Sequence, residues 1–286
     1  MIRSIAKELV QGGHLLALGT LSITAFSSIL IGESPTIDLL LMAYLFSYGA
    51  YSMNRSSEIG QDMVSNPSRT TYLQRRKKYL PAITVACFSF GYVLAALRSV
   101  PFFLALLVPL ILSALYSIGS KKFVRLIGVK RFKEKLLLKN IVISLGWSLV
   151  PILVGLYFRQ LGTVLLLLVP FIFLRLFVNT VFFDARDIVG DNLNGVRTLP
   201  TVYGLHKSYT IMSILDFSSA IYISLLIVLS VLPVYSVIIL GLPLYSMIYR
   251  WLALRDYALI DIMCDVVGDG EYVLWGALLF LGRTFI

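Results

Sequence analysis

Two short windows hold five of the 15 carboxylates in the chain. The first reads Tyr51-Ser-Met-Asn54-Arg-Ser-Ser-Glu58-Ile-Gly-Gln-Asp62, and the second reads Asn179-Thr-Val-Phe-Phe-Asp184-Ala-Arg-Asp187-Ile-Val-Gly-Asp191. Asn54, Glu58 and Asp62 recur at intervals of four. Asp184, Asp187 and Asp191 follow at three and then four, so each set lies along one helical face. Oxygen ligands of this kind suit Mg²⁺, a hard ion that keeps some waters and shares phosphate oxygens with a substrate. Arg55 and Arg186 sit inside the windows, so salt-bridged helix ends are the competing explanation for either set alone. Two such sets, one as dense as DxxDxxxD, favour a metal–diphosphate site.

The elements that must position these residues are membrane helices. Of the 286 residues, 58% are hydrophobic and 14% charged, with mean hydropathy +0.86. Soluble domains carry about a quarter charged residues. The apolar residues are bunched into runs at roughly 14–31, 36–53, 80–97, 101–118, 140–157, 161–183, 209–230 and 233–249, with a weaker ninth from Tyr272 to the end. Each approaches the length that crosses a hydrocarbon core of about 30 Å. An Asp at the centre of such a helix costs roughly 2.5–3.5 kcal/mol, so the acidic sets must lie at an interface or line a wet cavity with compensating cations.

Charge distribution orients the bundle. With nine spans and a cytoplasmic N-terminus, every lysine and arginine except Arg98, Arg159 and Arg283 falls on the inner side. That inner set includes Arg175, Arg186, Arg197, Lys207, Arg250 and Arg255, and the asymmetry is the positive-inside pattern. It also explains the net charge of +10 without nucleic acid, by attraction to anionic headgroups. The outer links (Gly32–Pro35, Arg98–Pro101, Arg159–Gly162 and Val231–Pro233) are short, and the inner links are long and polar. The expectation is an all-α polytopic bundle of about nine transmembrane helices, a single domain over 1–286, with its active-site cavity open to the cytoplasm.

The remaining chemistry-bearing residues read as structural. Cys87 and Cys264 lack metal or redox spacing, His14 and His206 have no evident partner, and Asp265, Asp269 and Glu271 read as a solvated interfacial loop. The first apolar run is too long for a signal-peptide core and lacks a cleavage site after it.

The motifs resemble those of the UbiA-type intramembrane prenyltransferase superfamily, whose signatures are NDxxDxxxD and DxxDxxxD followed by a glycine and a TLP…G run. Asp184, Asp187 and Asp191 match the second, continuing through Gly195, Thr198-Leu-Pro200 and Gly204. Leu115-Tyr116-Ser117 and Lys139-Asn140 match further, and the resemblance covers nearly the whole chain. The first signature departs from the pattern: Arg55 stands where the family usually has Asp, and Glu58 replaces the first well-spaced Asp. The usual lysine four residues after Tyr116 is displaced, with Lys121 and Lys122 following Ser120.

The resemblance implies transfer of a polyprenyl group from an isoprenoid diphosphate to a lipophilic aromatic or glycerol-type acceptor. It places one metal on Asn54, Glu58 and Asp62 and a second on Asp187 and Asp191, with Asp184 a further ligand or an orienting partner. Arg69, Tyr116, Lys121, Lys122 and Lys139 become candidates for the diphosphate site. Tyr51, Tyr116, Phe182 and Phe183 could shield a carbocation through their ring faces. A non-catalytic isoprenoid-binding relative and a membrane transporter or carrier are the alternatives. The first is favoured only by the altered first signature; the second is disfavoured by the acidic residues lying at helix ends.

Overall fold

The computed structural model describes residues 2–58, 66–118, 136–193 and 195–286, with backbone alone at 2–4, 57–58 and 114–118. Helices run in the order α1 (Ile2–Gln11), α2 (His14–Leu30), α3 (Ile37–Glu58), α4 (Pro67–Gln74), α5 (Leu80–Arg98) and α6 (Val100–Ile118). They continue with α7 (Leu138–Ser148), α8 (Val150–Phe158), α9 (Thr163–Leu193), α10 (Leu199–Val228), α11 (Gly241–Arg255) and α12 (Asp269–Phe285). There is no strand among the described residues.

A helix or a broken helix stands at each expected span. By length and composition five are sufficient to cross a membrane: α5, α7 with α8, α9, α10, and α11 with the 3₁₀ turn before it. A bent pair, α1 with α2, makes a sixth if it is counted as one span. The break between α7 and α8 falls two residues before Pro151, which cannot donate to the Trp147 carbonyl. The 70° bend between α1 and α2 turns on Gly13, whose φ of 83° and closeness to the Tyr51 ring exclude a side chain. Glu8 of α1 then accepts from Tyr72 and Arg76, tying α1 to the end of α4.

The length of α9 matters for function. Its 31 residues span about 46 Å, more than the roughly 30 Å an apolar core needs. The last turns, which carry the acidic triplet, can therefore stand clear of hydrocarbon. The Gly-TLP-Gly stretch turns the chain out of α9 and starts α10. Gly195 adopts φ 66°, and Thr198 and Thr201 form a reciprocal cap at the start of α10, with Pro200 in its first turn. Gly204 kinks α10 at φ 79°, ψ 167°, a conformation essentially restricted to glycine.

Helix α2 packs closely on α12 because small residues let the backbones approach. Gly19 leaves room for Tyr272, and a Cβ on Gly276 would meet the Ser22 carbonyl at 2.9 Å. Ser22 Oγ donates to the Val273 carbonyl at 2.9 Å and accepts from Gly276 N at 2.8 Å. Around this contact Phe26, Phe171 and Trp275 form an aromatic core. The outward faces are apolar as well: Ile214, Phe217, Ile221, Leu225 and Val228 make one exposed stripe on α10. Such a stripe suits a hydrocarbon solvent.

The short links meet at one end of the bundle. Arg98 donates to the Tyr157 carbonyl at 3.2 and 3.3 Å, Tyr157 Oη donates to Asp38 at 2.7 Å, and Gln160 donates to Glu33 at 2.7 Å. The Tyr235 hydroxyl reaches the Ile29 carbonyl beside them. The second acidic window and the described part of the first, through Glu58, lie at the opposite end.

Two basic residues that the loop count assigned to the inner surface are not there. Arg175 and Arg250 are each 1% exposed. Arg175 pairs with Asp216 and Glu271, and Arg250 pairs with Asp216. This quartet joins α9, α10, α11 and α12, and each charge sits inside the protein because an opposite one meets it.

Candidate active site

A cavity of about 370 Å³ runs through the bundle between α2, α3, α6, α7 and α9. Its polar mouth is lined by Asn54, Arg55, Arg69, Lys139, Asp184, Arg186, Asp187 and Asp269. Tyr51, Asn179, Phe183, Trp147 and Tyr272 form its waist, and Leu39, Phe102, Leu106 and Val154 line its apolar depth. Leu39 and Asn54 are fifteen residues apart on α3, which places the two ends about 22 Å from each other along the helix.

The mouth is assembled from elements distant in sequence. Asp184, fully buried on α9, accepts from Lys139 Nζ and Asn140 Nδ2, each at 2.8 Å. One turn on, Asp187 receives the Arg186 guanidinium in a fork, Nε to Oδ1 at 2.8 Å and Nη2 to Oδ2 at 3.2 Å. The third Nη1 donor reaches Asp265 at 2.6 Å, and the Arg186 guanidinium lies 5.1 Å over the Phe183 ring. Arg69, on the short helix α4, also donates to Asp265, at 3.3 Å. Asn66 caps α4 with its side-chain oxygen on Arg69 N at 3.1 Å and donates to the second Asp265 oxygen at 2.8 Å.

Four cations and three carboxylates therefore face the mouth, with two of the carboxylates already held by cations. Burial, then the neighbouring Arg55 and Arg186 guanidiniums, pull the Arg69 pKa down. That crowding of positive charge is what an anion would relieve. Desolvation, with help from Asp265 and Asp187 against the pull of Arg186, pushes Asp261 up.

Of the expected site residues, the cavity brings together Asn54, Arg69, Lys139, Asp184 and Asp187. Asp191 is not among the lining side chains; it lies one turn further along α9, at the helix end. Asp62, Lys121 and Lys122, together with the side chains of Glu58 and Tyr116, lie outside the described residues. No three His, Cys, Asp or Glu side chains gather as a metal centre among the described residues. The mouth nonetheless offers oxygen donors (Asn54, Asp187 and Asp269) and, among the described residues, no thiol, the donor chemistry of a hard divalent ion.

Four expectations need correction. Phe182 does not face the cavity but packs in a second core beside Tyr209 and Tyr249. His14 has partners, hydrogen-bonding Tyr44 at 2.5 Å and stacking on Tyr48. Glu271 is buried against Arg175 and Tyr249 rather than solvated. Asp265 and Asp269 serve the mouth: the first, behind the lining, holds two of its arginines, and the second lines the cavity. The signal for this pair was present in the sequence, since Asp261, Asp265 and Asp269 repeat the four-residue spacing of the first window.

Comparison with known proteins agrees with this architecture. The family model described as the UbiA prenyltransferase family matches residues 56–259. A relative named digeranylgeranylglyceryl phosphate synthase, from Sulfurisphaera tokodaii, is 28% identical over 198 residues, covering 68% of this chain and 64% of its own length. The matched stretch thus spans a little under two thirds of that relative. A UbiA homologue from Archaeoglobus fulgidus, solved with GPP and Mg²⁺, superposes with TM-score 0.66 at 15% identity, covering 96% of this chain and 99% of the other. One from Aeropyrum pernix superposes with TM-score 0.60 at 13% identity over 94% and 96%. The acidic helix end, the cationic mouth and the match over residues 56–259 together make the chain a member of the UbiA prenyltransferase family.

Proposed function

We propose that this protein transfers a polyprenyl group from an isoprenoid diphosphate to a lipophilic aromatic or glycerol-type acceptor within the membrane, releasing diphosphate. The observation that carries the reading is the continuous cavity, about 22 Å from its charged mouth to the end of its apolar shaft. A diphosphate fits the first and an isoprenoid tail the second. Of the two acceptor classes, aromatic and glycerol-type, the name of the Sulfurisphaera relative favours the glycerol type.

Asn54, Glu58 and Asp62 on one side, and Asp187 and Asp191 on the other, would hold Mg²⁺, which supplies charge neutralisation to the departing diphosphate. Arg55, Arg69 and Arg186 add fixed positive charge as the allylic C–O bond lengthens, and a dry site magnifies their effect. Lys139 joins them while bridging to Asp184. Tyr51 and Phe183 present ring faces to an allylic cation, and the apolar shaft excludes water that would quench it. The mouth opens to the cytoplasm in this reading, with the N-terminus on the same side and nine helices crossing.

Binding of geranylgeranyl diphosphate to the detergent-purified protein tests the reading. Affinity should require Mg²⁺ and fall steeply in the Asp187→Asn/Asp191→Asn double variant. Binding indifferent to both changes would remove the metal–diphosphate assignment. A second reading, a non-catalytic isoprenoid binder, is favoured by Arg55 in the mouth where the family usually has Asp. It predicts Mg²⁺-dependent binding without diphosphate release across acceptor classes.

A further inference from the structure

Asp265 has no place in either acidic signature, yet it is the common partner of two cavity-lining arginines. One oxygen, Oδ1, accepts from Arg69 Nη1 at 3.3 Å and from Arg186 Nη1 at 2.6 Å. The other, Oδ2, accepts from Asn66 Nδ2 at 2.8 Å. Three N–H donors thus occupy a carboxylate that stands behind the cavity wall and is not part of it. A carboxylate so committed serves cations rather than a metal.

Its location explains the arrangement. Asp265 belongs to a π-helical turn, Met263–Gly268, that leads into α12. Wider turns of this kind shift the phase of the residues after them and occur often at functional sites. Here the shift separates two residues that a regular helix would align. Asp269 lines the cavity, while Asp265 reaches α4 and α9. The carboxylate therefore ties Arg69, on the short helix α4, to Arg186, which is itself forked onto Asp187.

We infer that Asp265 is a positioning residue for the donor diphosphate, holding the Arg69 and Arg186 guanidiniums in register at the cavity mouth. The inference rests on the donor-site reading above and extends it to a residue outside both signatures. Removing the shared acceptor breaks the link between Arg69 and Arg186 and leaves Arg186 oriented by Asp187 and the Phe183 ring. Loss of the partner that orients a metal ligand costs about 10–100-fold, and a loss of the same order is expected for these guanidiniums. The tail site, lined by apolar side chains far along the shaft, is untouched.

The test compares two probes with the same tail, geranylgeranyl diphosphate with Mg²⁺ and the neutral alcohol geranylgeraniol. In wild-type protein the diphosphate should bind more tightly. Asp265→Asn should weaken diphosphate binding about 10–100-fold and change alcohol binding little, and Asp265→Glu, which keeps the charge, should restore part of the preference. Equal weakening of both probes would make Asp265 a structural residue only, and an unchanged preference would remove its role altogether; either overturns the inference. If the Asn variant does not fold, the Glu variant decides by the same ratio: a reduced preference supports the inference and an unaltered one overturns it. A wild-type protein that does not distinguish the probes overturns the donor-site reading, and the inference with it. A wild-type preference that persists in both variants overturns the inference alone.

Discussion

At the scale of single residues, the site is defined by how each carboxylate is paired. Asp184 is fully buried and accepts from Lys139 and Asn140, so its charge is tolerable only while Lys139 remains. Lys139→Met should lower stability by about 3 kcal/mol, because it strands a buried anion. Lys139→Met combined with Asp184→Asn should recover most of that loss, since an amide can still meet Asn140. Thermal unfolding in detergent reads both, and a double variant as unstable as the single would show that the pair is not coupled. The acidic triplet itself was legible from spacing alone. Its pairing was not, because Lys139 and Asn140 lie more than forty residues away and reach Asp184 only through the packing of α7 on α9. Asp265 and Asp269 were hidden for a different reason. Their spacing matches the first window, but proximity in sequence to an apolar run says nothing about which way a π turn directs each side chain.

At the scale of elements, hydropathy placed the helices well and their buried charges badly. Arg175 and Arg250 lie near helix positions that a loop count assigns to the inner surface. Three-dimensional packing instead sets them against Asp216 and Glu271, with Tyr249 donating to Glu271 at 3.1 Å and Arg175 also reaching the Leu242 carbonyl at 3.3 Å. Periodicity cannot reveal this, because the partners come from four helices. Arg175 joins three of them directly, so Arg175→Met should destabilise the fold by about 3–5 kcal/mol. The same change at exposed Arg75 should stay within about 0.5 kcal/mol. The comparison is read as the shift in unfolding midpoint of each variant against wild type. Similar small shifts would mean that the quartet contributes little to holding α9, α10, α11 and α12 together.

At the scale of the whole molecule, the separation of the two ends is the property on which function depends. The short links converge around Arg98, Tyr157 and Glu33, while the cationic mouth, α4 and the start of α10 gather at the other end. The proposed orientation, with the mouth side in the cytoplasm, rests on the positive charge concentrated on that side. Both native cysteines are buried, which makes single introduced cysteines readable against a low background. Lys78, Arg159 and Lys207 are exposed. In the proposed nine-span arrangement three crossings separate Lys78 from Arg159 (α5, α6, and α7 with α8), and α9 alone separates Arg159 from Lys207. A membrane-impermeant maleimide should therefore label Lys78→Cys and Lys207→Cys only in inside-out vesicles, and Arg159→Cys only in right-side-out vesicles. Complete reversal would keep the bundle and turn the mouth outward, away from a cytoplasmic supply of diphosphate donor. Labelling of all three from one side would contradict the crossing pattern itself, because α9 could then no longer carry its acidic end to the face opposite Arg159.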